Sequence, residues 1–241
     1  MESRWKEVWN KDREFILPEK EGKDEFTVYR ELKRLDGFDV SIEDAEAYYR
    51  KFYDETIAAW DQLQEATAIC SAFEAGCGSG ANLYLLQNRG IKVGGIDYSA
   101  SLTGIARQVV EDGGSIRTDE AVKMDINEKY DIVFSDSVFA YFPSETYGLE
   151  VLEKMYEKAS GAVMIREVFD KSMQWECEAH RRKLYADYDE RYRGLDKVYY
   201  DREMFDRFAR EKNCRIEFSG VENEYYWNSK YLFNCCIYKK S

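Results

Sequence analysis

Apolar runs and helical stretches alternate through the middle of this 241-residue chain, which predicts an α/β protein on a doubly wound parallel sheet. Three observations carry that expectation. Short apolar runs fall near 69–75, 91–97, 115–118, 130–136 and 161–168. Stretches of helical length separate them near 80–89, 99–111 and 145–159. The first apolar run leads into a glycine-rich turn, Glu-Ala-Gly-Cys-Gly-Ser-Gly at 74–80, not into a hairpin.

Residues 1–66 are polar, charged and aromatic, and read as a helical N-terminal lid on a domain spanning 67–241. Trp5 and Trp9 share one helical face. Ser41, followed by Asp44, is a candidate N-cap for a helix carrying Tyr48, Tyr49, Phe52, Tyr53 and Trp60 as an aromatic stripe. The run at 130–135, Tyr-Asp-Ile-Val-Phe-Ser, reads as a buried strand. Ser144, after Pro143 and before Glu145, caps the helix that follows. The alternation breaks at 171–200, a charged, tyrosine-rich insertion placed above the carboxyl edge of the sheet and read as a cap. Asp201 is the expected N-cap of a late helix. Residues 214–220 and 230–239 read as a closing antiparallel pair.

Composition excludes several classes. The net charge is −12, from 35 basic and 47 acidic residues, which argues against sequence-independent binding to nucleic acid or to an anionic membrane. No apolar segment is long enough to span a bilayer, and the charged N-terminus lacks a signal-peptide pattern. The six cysteines form no C-x-x-C pair, and His180 is the only histidine, so no metal site is expected. The cysteines read as buried, reduced thiols of a cytoplasmic protein. Aromatic residues make up 15% of the chain, including 19 Tyr, which suits either packing or a pocket for a polar small molecule.

The glycine turn narrows the chemistry. A chain leaving a strand for a helix turns tightly, and glycine lets a ligand lie against the backbone. Asp97, at the end of the next apolar run, is placed to accept from a ribose diol. The alternate spacing of Gly76, Gly78 and Gly80 differs from the G-x-G-x-x-G of nicotinamide-binding chains. It resembles motif I of class I S-adenosylmethionine-dependent methyltransferases, and Ile-Asp-Tyr-Ser at 96–99 resembles that family's second motif. The resemblance implies a Rossmann-like seven-stranded sheet with an antiparallel last strand, and S-adenosylmethionine as cofactor. It implies that Glu74, Gly76, Cys77, Gly78 and Gly80 meet the methionine part, and that Asp97 and Tyr98 meet the ribose and adenine. Glu120, with Asp119 as runner-up, would accept from the adenine amino group. Ser135 and the residues after it, Asp136 and Tyr141 among them, would border the methyl group.

A narrower likeness covers 135–142, 192–195, Tyr199, Tyr200, Phe205 and 228–234. It resembles methyltransferases found with bacterial capsule, lipopolysaccharide or secondary-metabolite clusters, and implies a small polar acceptor for O- or N-methylation. Arg166, at the end of the fifth strand, is a candidate for an anionic substrate group, unless it pairs with Glu167 or Asp170. Arg181 and Tyr199 are further substrate-binding candidates. His180, Tyr141 and Tyr200 are candidate bases. A non-catalytic S-adenosylmethionine-binding regulator and a protein methyltransferase remain alternatives, and a homodimer is left open.

Overall fold

The computed structural model describes residues 4–13, 24–37, 45–66 and 69–240. The proposed cap at Ser41 lies outside the described residues. Helices α1 (Trp5–Trp9), α2 (Glu25–Leu35) and α3 (Ala45–Ala66) come first. An alternating run follows: β1 (Ser71–Ala75), α4 (Ala81–Gln87), β2 (Lys92–Asp97), α5 (Ala100–Val109), β3 (Ile116–Thr118), β4 (Tyr130–Asp136), α6 (Glu145–Lys158) and β5 (Ala159–Phe169). Then come α7 (Gln174–Leu184), α8 (Tyr188–Arg191), α9 (Arg202–Glu211), β6 (Arg215–Gly220) and β7 (Leu232–Tyr238).

The seven strands form one sheet in the order β3-β2-β1-β4-β5-β7-β6. Strands β1 to β5 run parallel, while β7 pairs antiparallel with both β5 and β6. This is the Rossmann-like plan with an antiparallel closing strand. The central strands are buried on both faces, which is why they read as near-continuous apolar runs.

Local signals start the helices as expected. Ser144 accepts from the Tyr147 amide and Asp201 from the Glu203 amide, and Asp24 does the same for Thr27 at the head of α2. Each such cap is worth about 1 kcal/mol. One face of the sheet is covered by α2, α3, α4 and α5, whose Leu32, Trp60, Leu83 and Ile105 share a core with Ile132 and Phe134. The other face carries α6 and α9, packed through Val151, Leu152, Phe205 and Phe208. The N-terminal helices α2 and α3 therefore belong to the same core as the sheet.

Two readings change. Cys77, Cys177 and Cys235 are buried, but Cys70 is exposed and Cys214 and Cys236 are only partly covered. Tyr200 is fully buried, its hydroxyl donates to the Phe139 carbonyl at 2.9 Å, and its ring fills the space where a Cβ on Gly148 would sit. Among the described residues, no helix is long and apolar enough to cross a membrane.

Candidate active site

The strand order turns back between β1 and β4, and an open parallel sheet leaves a crevice outside the carboxyl ends at such a point. The glycine turn fills its floor. Gly76, Gly78 and Gly80 have φ of 83°, 50° and 84°, a region that glycine enters without a Cβ penalty. Close approach matters as well: a Cβ on Gly76 would overlap Val138, and one on Gly78 would lie 2.5 Å from Asp36 Oδ1. Gly76 and Cys77 donate their amides to the Ile96 carbonyl at 2.7 and 3.1 Å. The Gly78 amide donates to Asp97 Oδ2 at 3.0 Å and the Ser99 amide to Asp97 Oδ1 at 2.8 Å, so two backbone donors fix this carboxylate. Burial still pushes Asp97 above the ordinary carboxylate range.

Two adjoining cavities, of about 80 and 90 Å³, share Gly76, Asp97, Tyr98, Val138 and Tyr141 as a common wall. Helix α2 and the residue just beyond it add Lys33 and Asp36 to the wall of the first. Asp36, just beyond α2, accepts from the Ser79 amide at 2.8 Å and from its hydroxyl at 3.0 Å, which stitches α2 to the turn. Lys33, one helical turn earlier, stands 3.4 Å from Asp136 Oδ2 at the end of β4. Asn82, in the first turn of α4, donates to Glu74 Oε1 at 2.7 Å and to Asp136 Oδ2 at 3.1 Å. Burial raises Asp136, but the Lys33 and Arg166 charges outweigh it and hold the carboxyl down at about 2. Burial drives Glu74 the other way, well above its usual range, against the hydrogen bond from Asn82.

Three atoms of this network have no hydrogen-bond partner among the described residues: Glu74 Oε2, Asn82 Oδ1 and Asp136 Oδ1. All three are buried acceptors on residues that line the first cavity. Buried acceptors left unmet are costly, so a ligand that fits here brings donors or positive charge.

Helix α1 lies across the opening. The Trp5 and Trp9 rings meet Tyr141 edge-on at 4.8 and 5.2 Å. Tyr98 donates its hydroxyl to the Trp5 carbonyl at 3.2 Å, and Ser99 donates its own to the Trp9 carbonyl at 2.8 Å. Lys6 pairs with Glu120 at 2.8 Å, and Glu120 lines the second cavity. Asp119 is instead exposed and paired with Lys123 at 2.9 Å.

Ser137 follows β4 and lines the first cavity, and its hydroxyl donates to Glu167 Oε2 on β5. Beyond Tyr141, the segment after β5 encloses a third cavity of about 450 Å³, walled by Arg181, Tyr188, Tyr192, Lys197 and Tyr199 among others. Lys197 connects the two regions, with its ammonium 5.0 Å above the Tyr141 ring and 4.4 Å from the Phe169 ring.

Of the residues singled out from sequence, Glu74, Gly76, Cys77, Gly78, Asp97, Tyr98, Glu120 and Tyr141 line the two cofactor-side cavities. Arg181 and Tyr199 line the third. Gly80 shapes the turn but packs against Ala106 and Val109. Ser135 is fully buried and donates its hydroxyl to the Ala75 carbonyl, tying β4 to β1. Arg166 is buried in the network beneath the site, 3.6 Å from Asp136 and hydrogen-bonded to Thr56 at 3.1 Å; it pairs with neither Glu167 nor Asp170. His180 packs its ring on Trp227 and lines none of the three cavities. Tyr200 is locked in the core, and burial raises its hydroxyl further. Lys33, Asp36, Ser137 and Lys197 were not singled out from sequence. Lys197 alone leaves a local trace there, a lone cation opening the apolar stretch Val-Tyr-Tyr at 198–200.

Comparison with known proteins places this geometry. Residues 72–160 match the family described as Methyltransferase domain. No curated protein sequence matches the chain. Among solved structures, the magnesium protoporphyrin IX methyltransferase of Synechocystis PCC 6803 with bound S-adenosylhomocysteine is 14% identical. It has a TM-score of 0.61, with 90% of this chain and 100% of that chain covered. The plantazolicin methyltransferase BpumL, also with S-adenosylhomocysteine, is 13% identical at a TM-score of 0.59, covering 90% and 94%. CalS10, an amino pentose methyltransferase of Micromonospora echinaspora, is 11% identical at 0.59, covering 83% and 98%. At such identities the likeness to these structures is one of fold, and the chemistry rests on the family match and the motif that falls within it. Residues 72–160 are a methyltransferase domain, and the chain around them has the fold of S-adenosylmethionine-dependent methyltransferases.

Proposed function

We propose that the chain methylates a small polar molecule on oxygen or nitrogen, the acceptor resting between Tyr141 and the cavity under the 171–200 segment. That cavity carries the reading. Its volume of about 450 Å³ suits a small molecule, its walls carry tyrosines and cations beside the carboxylates Glu178, Asp189 and Asp196, and Lys197 joins it to the Tyr141 side of the cofactor cavities.

The residues present fit the cofactor on chemical grounds. S-adenosylmethionine carries a sulfonium and an ammonium; the orphaned oxygens of Asn82 and Asp136 are acceptors that suit such charge, and a cation there would favour the ionised form of Glu74 that burial disfavours. Lys33, in the same wall, is the cation for its carboxylate. Gly76 and Gly78 let it approach the backbone, Asp97 would take the ribose hydroxyls, and Glu120 would accept from the adenine amino group. Bound there, the cofactor supplies a methyl carbon already activated by the adjacent sulfonium charge.

The protein then contributes alignment, water exclusion and a place for one proton. Ser137 Oγ donates to Glu167 Oε2. A proton leaving the acceptor therefore passes to Ser137 Oγ as the serine's own proton moves to Glu167. Burial and the Asp136 charge push the Glu167 carboxyl up to about 7, which matches a base working near neutral pH. The charged and titratable groups that feel Glu167 are Lys33, Tyr48, Asp136, Tyr141, Arg166, Lys197 and Tyr226.

The test is turnover. The protein is incubated with S-adenosylmethionine and a panel of sugar phosphates, amino sugars and hydroxy acids, and S-adenosylhomocysteine and methylated products are followed by mass spectrometry. Product above the acceptor-free rate supports the reading. Turnover with protein or peptide acceptors alone overturns it, and cofactor binding with no turnover on any acceptor favours a regulator.

A further inference from the structure

Arg181 is 5% exposed, and among the described residues no carboxylate lies within ion-pair distance of its guanidinium. Its charge is met by rings instead: it stacks over Tyr192 at 4.5 Å and Tyr188 at 5.5 Å. Its Nε is buried without a hydrogen-bond partner among the described residues. Lys197 is half-buried over Tyr141 and Phe169, and it too makes no ion pair among the described residues. Both line the 450 Å³ cavity. Two carboxylates in the same wall are already engaged, since Arg182 holds Glu178 at 3.6 Å and Asp189 at 3.3 Å. The remaining one, Asp196, is exposed to solvent.

Buried cations are ordinarily paired, because desolvating a charge without compensation is costly. Here a buried guanidinium and a half-buried ammonium meet on one cavity in a chain of net charge −12, where chance would favour carboxylates. They also feel each other: burial and the Arg181 charge together bring the Lys197 ammonium down to about 7. A ligand carrying negative charge would relieve both at once. A guanidinium with a free Nε–H presents the fork that matches two oxygens of one oxyanion, and an ammonium adds a third donor direction.

We infer that Arg181 and Lys197 form a receptor for an oxyanion, a phosphate or carboxylate carried by the methyl acceptor, an inference that rests on the cavity being the acceptor's. Lys197 spans the anion cavity and the Tyr141 wall, so it sets the distance from anionic group to nucleophile. The specificity element is then not Arg166, which Asp136 neutralises, but this pair.

Calorimetric titration of the full chain with inorganic phosphate and, separately, with sodium acetate tests this, in the presence and absence of S-adenosylhomocysteine. The two arms tell a phosphate from a carboxylate receptor. The variants are Arg181→Gln, Arg181→Lys and Lys197→Gln. The inference expects one oxyanion to bind, with affinity lowered about tenfold or more in Arg181→Gln and Lys197→Gln and partly kept in Arg181→Lys. S-adenosylhomocysteine affinity should stay unchanged in all three. The signal of labelled Lys197 should also move its midpoint above 7 when the oxyanion is added, which a purely structural lysine would not do. Oxyanion affinity equal in wild type and variants, or absent from a wild type that binds S-adenosylhomocysteine, overturns the inference alone. An oxyanion that binds through Arg181 and Lys197, with turnover confined to acceptors that lack an anionic group, upholds the receptor and overturns the reading of the cavity as the acceptor's.

Discussion

Ser137 and Glu167 sit side by side where β4 and β5 end, both with left-handed backbone, φ 59° and 57°, and the serine hydroxyl donates to the glutamate. Neither is glycine, so each conformation costs of order 1–3 kcal/mol and persists only because its surroundings hold it. The holders are visible. The Ser137 amide donates to the Arg166 carbonyl at 3.2 Å, and the Glu167 amide donates to Asn234 Oδ1 at 2.9 Å, where the β5–β7 register shifts. Strain of this kind, at the mouth of a cofactor cavity, aims two side chains that a regular strand would point elsewhere.

Glu167→Gln preserves shape and leaves Ser137 an acceptor, but removes the proton sink. We expect kcat to fall by about 10²- to 10⁴-fold. In wild type, kcat/KM should rise with pH through about 7 as the carboxyl deprotonates; in the variant that limb should vanish. Stability should respond in the opposite sense. Folding raises this carboxyl from 4.5 to about 7, so its contribution is present below 4.5 and is lost as pH climbs through 7. Thermal unfolding should show the variant gaining on wild type between pH 5 and pH 8.

Asp97→Ala removes the acceptor held by the Gly78 and Ser99 amides and leaves those donors unmet. S-adenosylhomocysteine should bind about tenfold more weakly, or worse, by calorimetry. Phosphate binding at Arg181, measured with S-adenosylhomocysteine at saturation, should not change. Equal cofactor affinity would remove Asp97 from the ribose site.

Trp9→Ala deletes one of the two rings that close on Tyr141. Cavities of about 80 and 90 Å³ are smaller than the roughly 300–1,000 Å³ usual for ligand sites, so the cover must move to admit the cofactor. Loosening it should speed release of S-adenosylhomocysteine up to about tenfold in stopped-flow. An unchanged release rate would mean that α1 is not the gate.

A maleimide should label Cys70 first, because it is exposed. Cys77 and Cys235, buried with thiols that burial pushes well up, should react only on unfolding. Mass mapping of labelled peptides over time checks the order.

The sheet, the glycine turn and Asp97 were legible because each is a local pattern: parallel strands declare themselves by apolar runs, and the turn by alternate glycines. The caps at Ser144 and Asp201 were legible for the same reason. The opposite holds for Lys33 and Asp136, which meet across 103 positions of chain. No spacing rule foretells that contact, since only the packing of α2 against the sheet creates it. His180 and Tyr200 looked chemical because residue type is visible in sequence and burial is not. Arg166 was rightly marked as near the site, but its partner could not be read, since the Asp136 that neutralises it lies one strand away.

The strap of α1 touches more than the cofactor wall. Arg4 reaches the Arg193 carbonyl at 2.6 Å, and the Trp5 indole donates to the Asp196 carbonyl at 2.8 Å, both on the rim of the anion cavity. On the proposed reading, the same few residues that close over the methyl donor also border the acceptor's cavity. On that reading, a strap set by the donor favours the acceptor's chamber without being required for it, which gives the kinetics a preferred sequence: donor in, strap down, acceptor in, and methylated product out before spent donor. Initial-rate patterns should therefore be those of an ordered ternary complex, with S-adenosylhomocysteine competing against the donor alone.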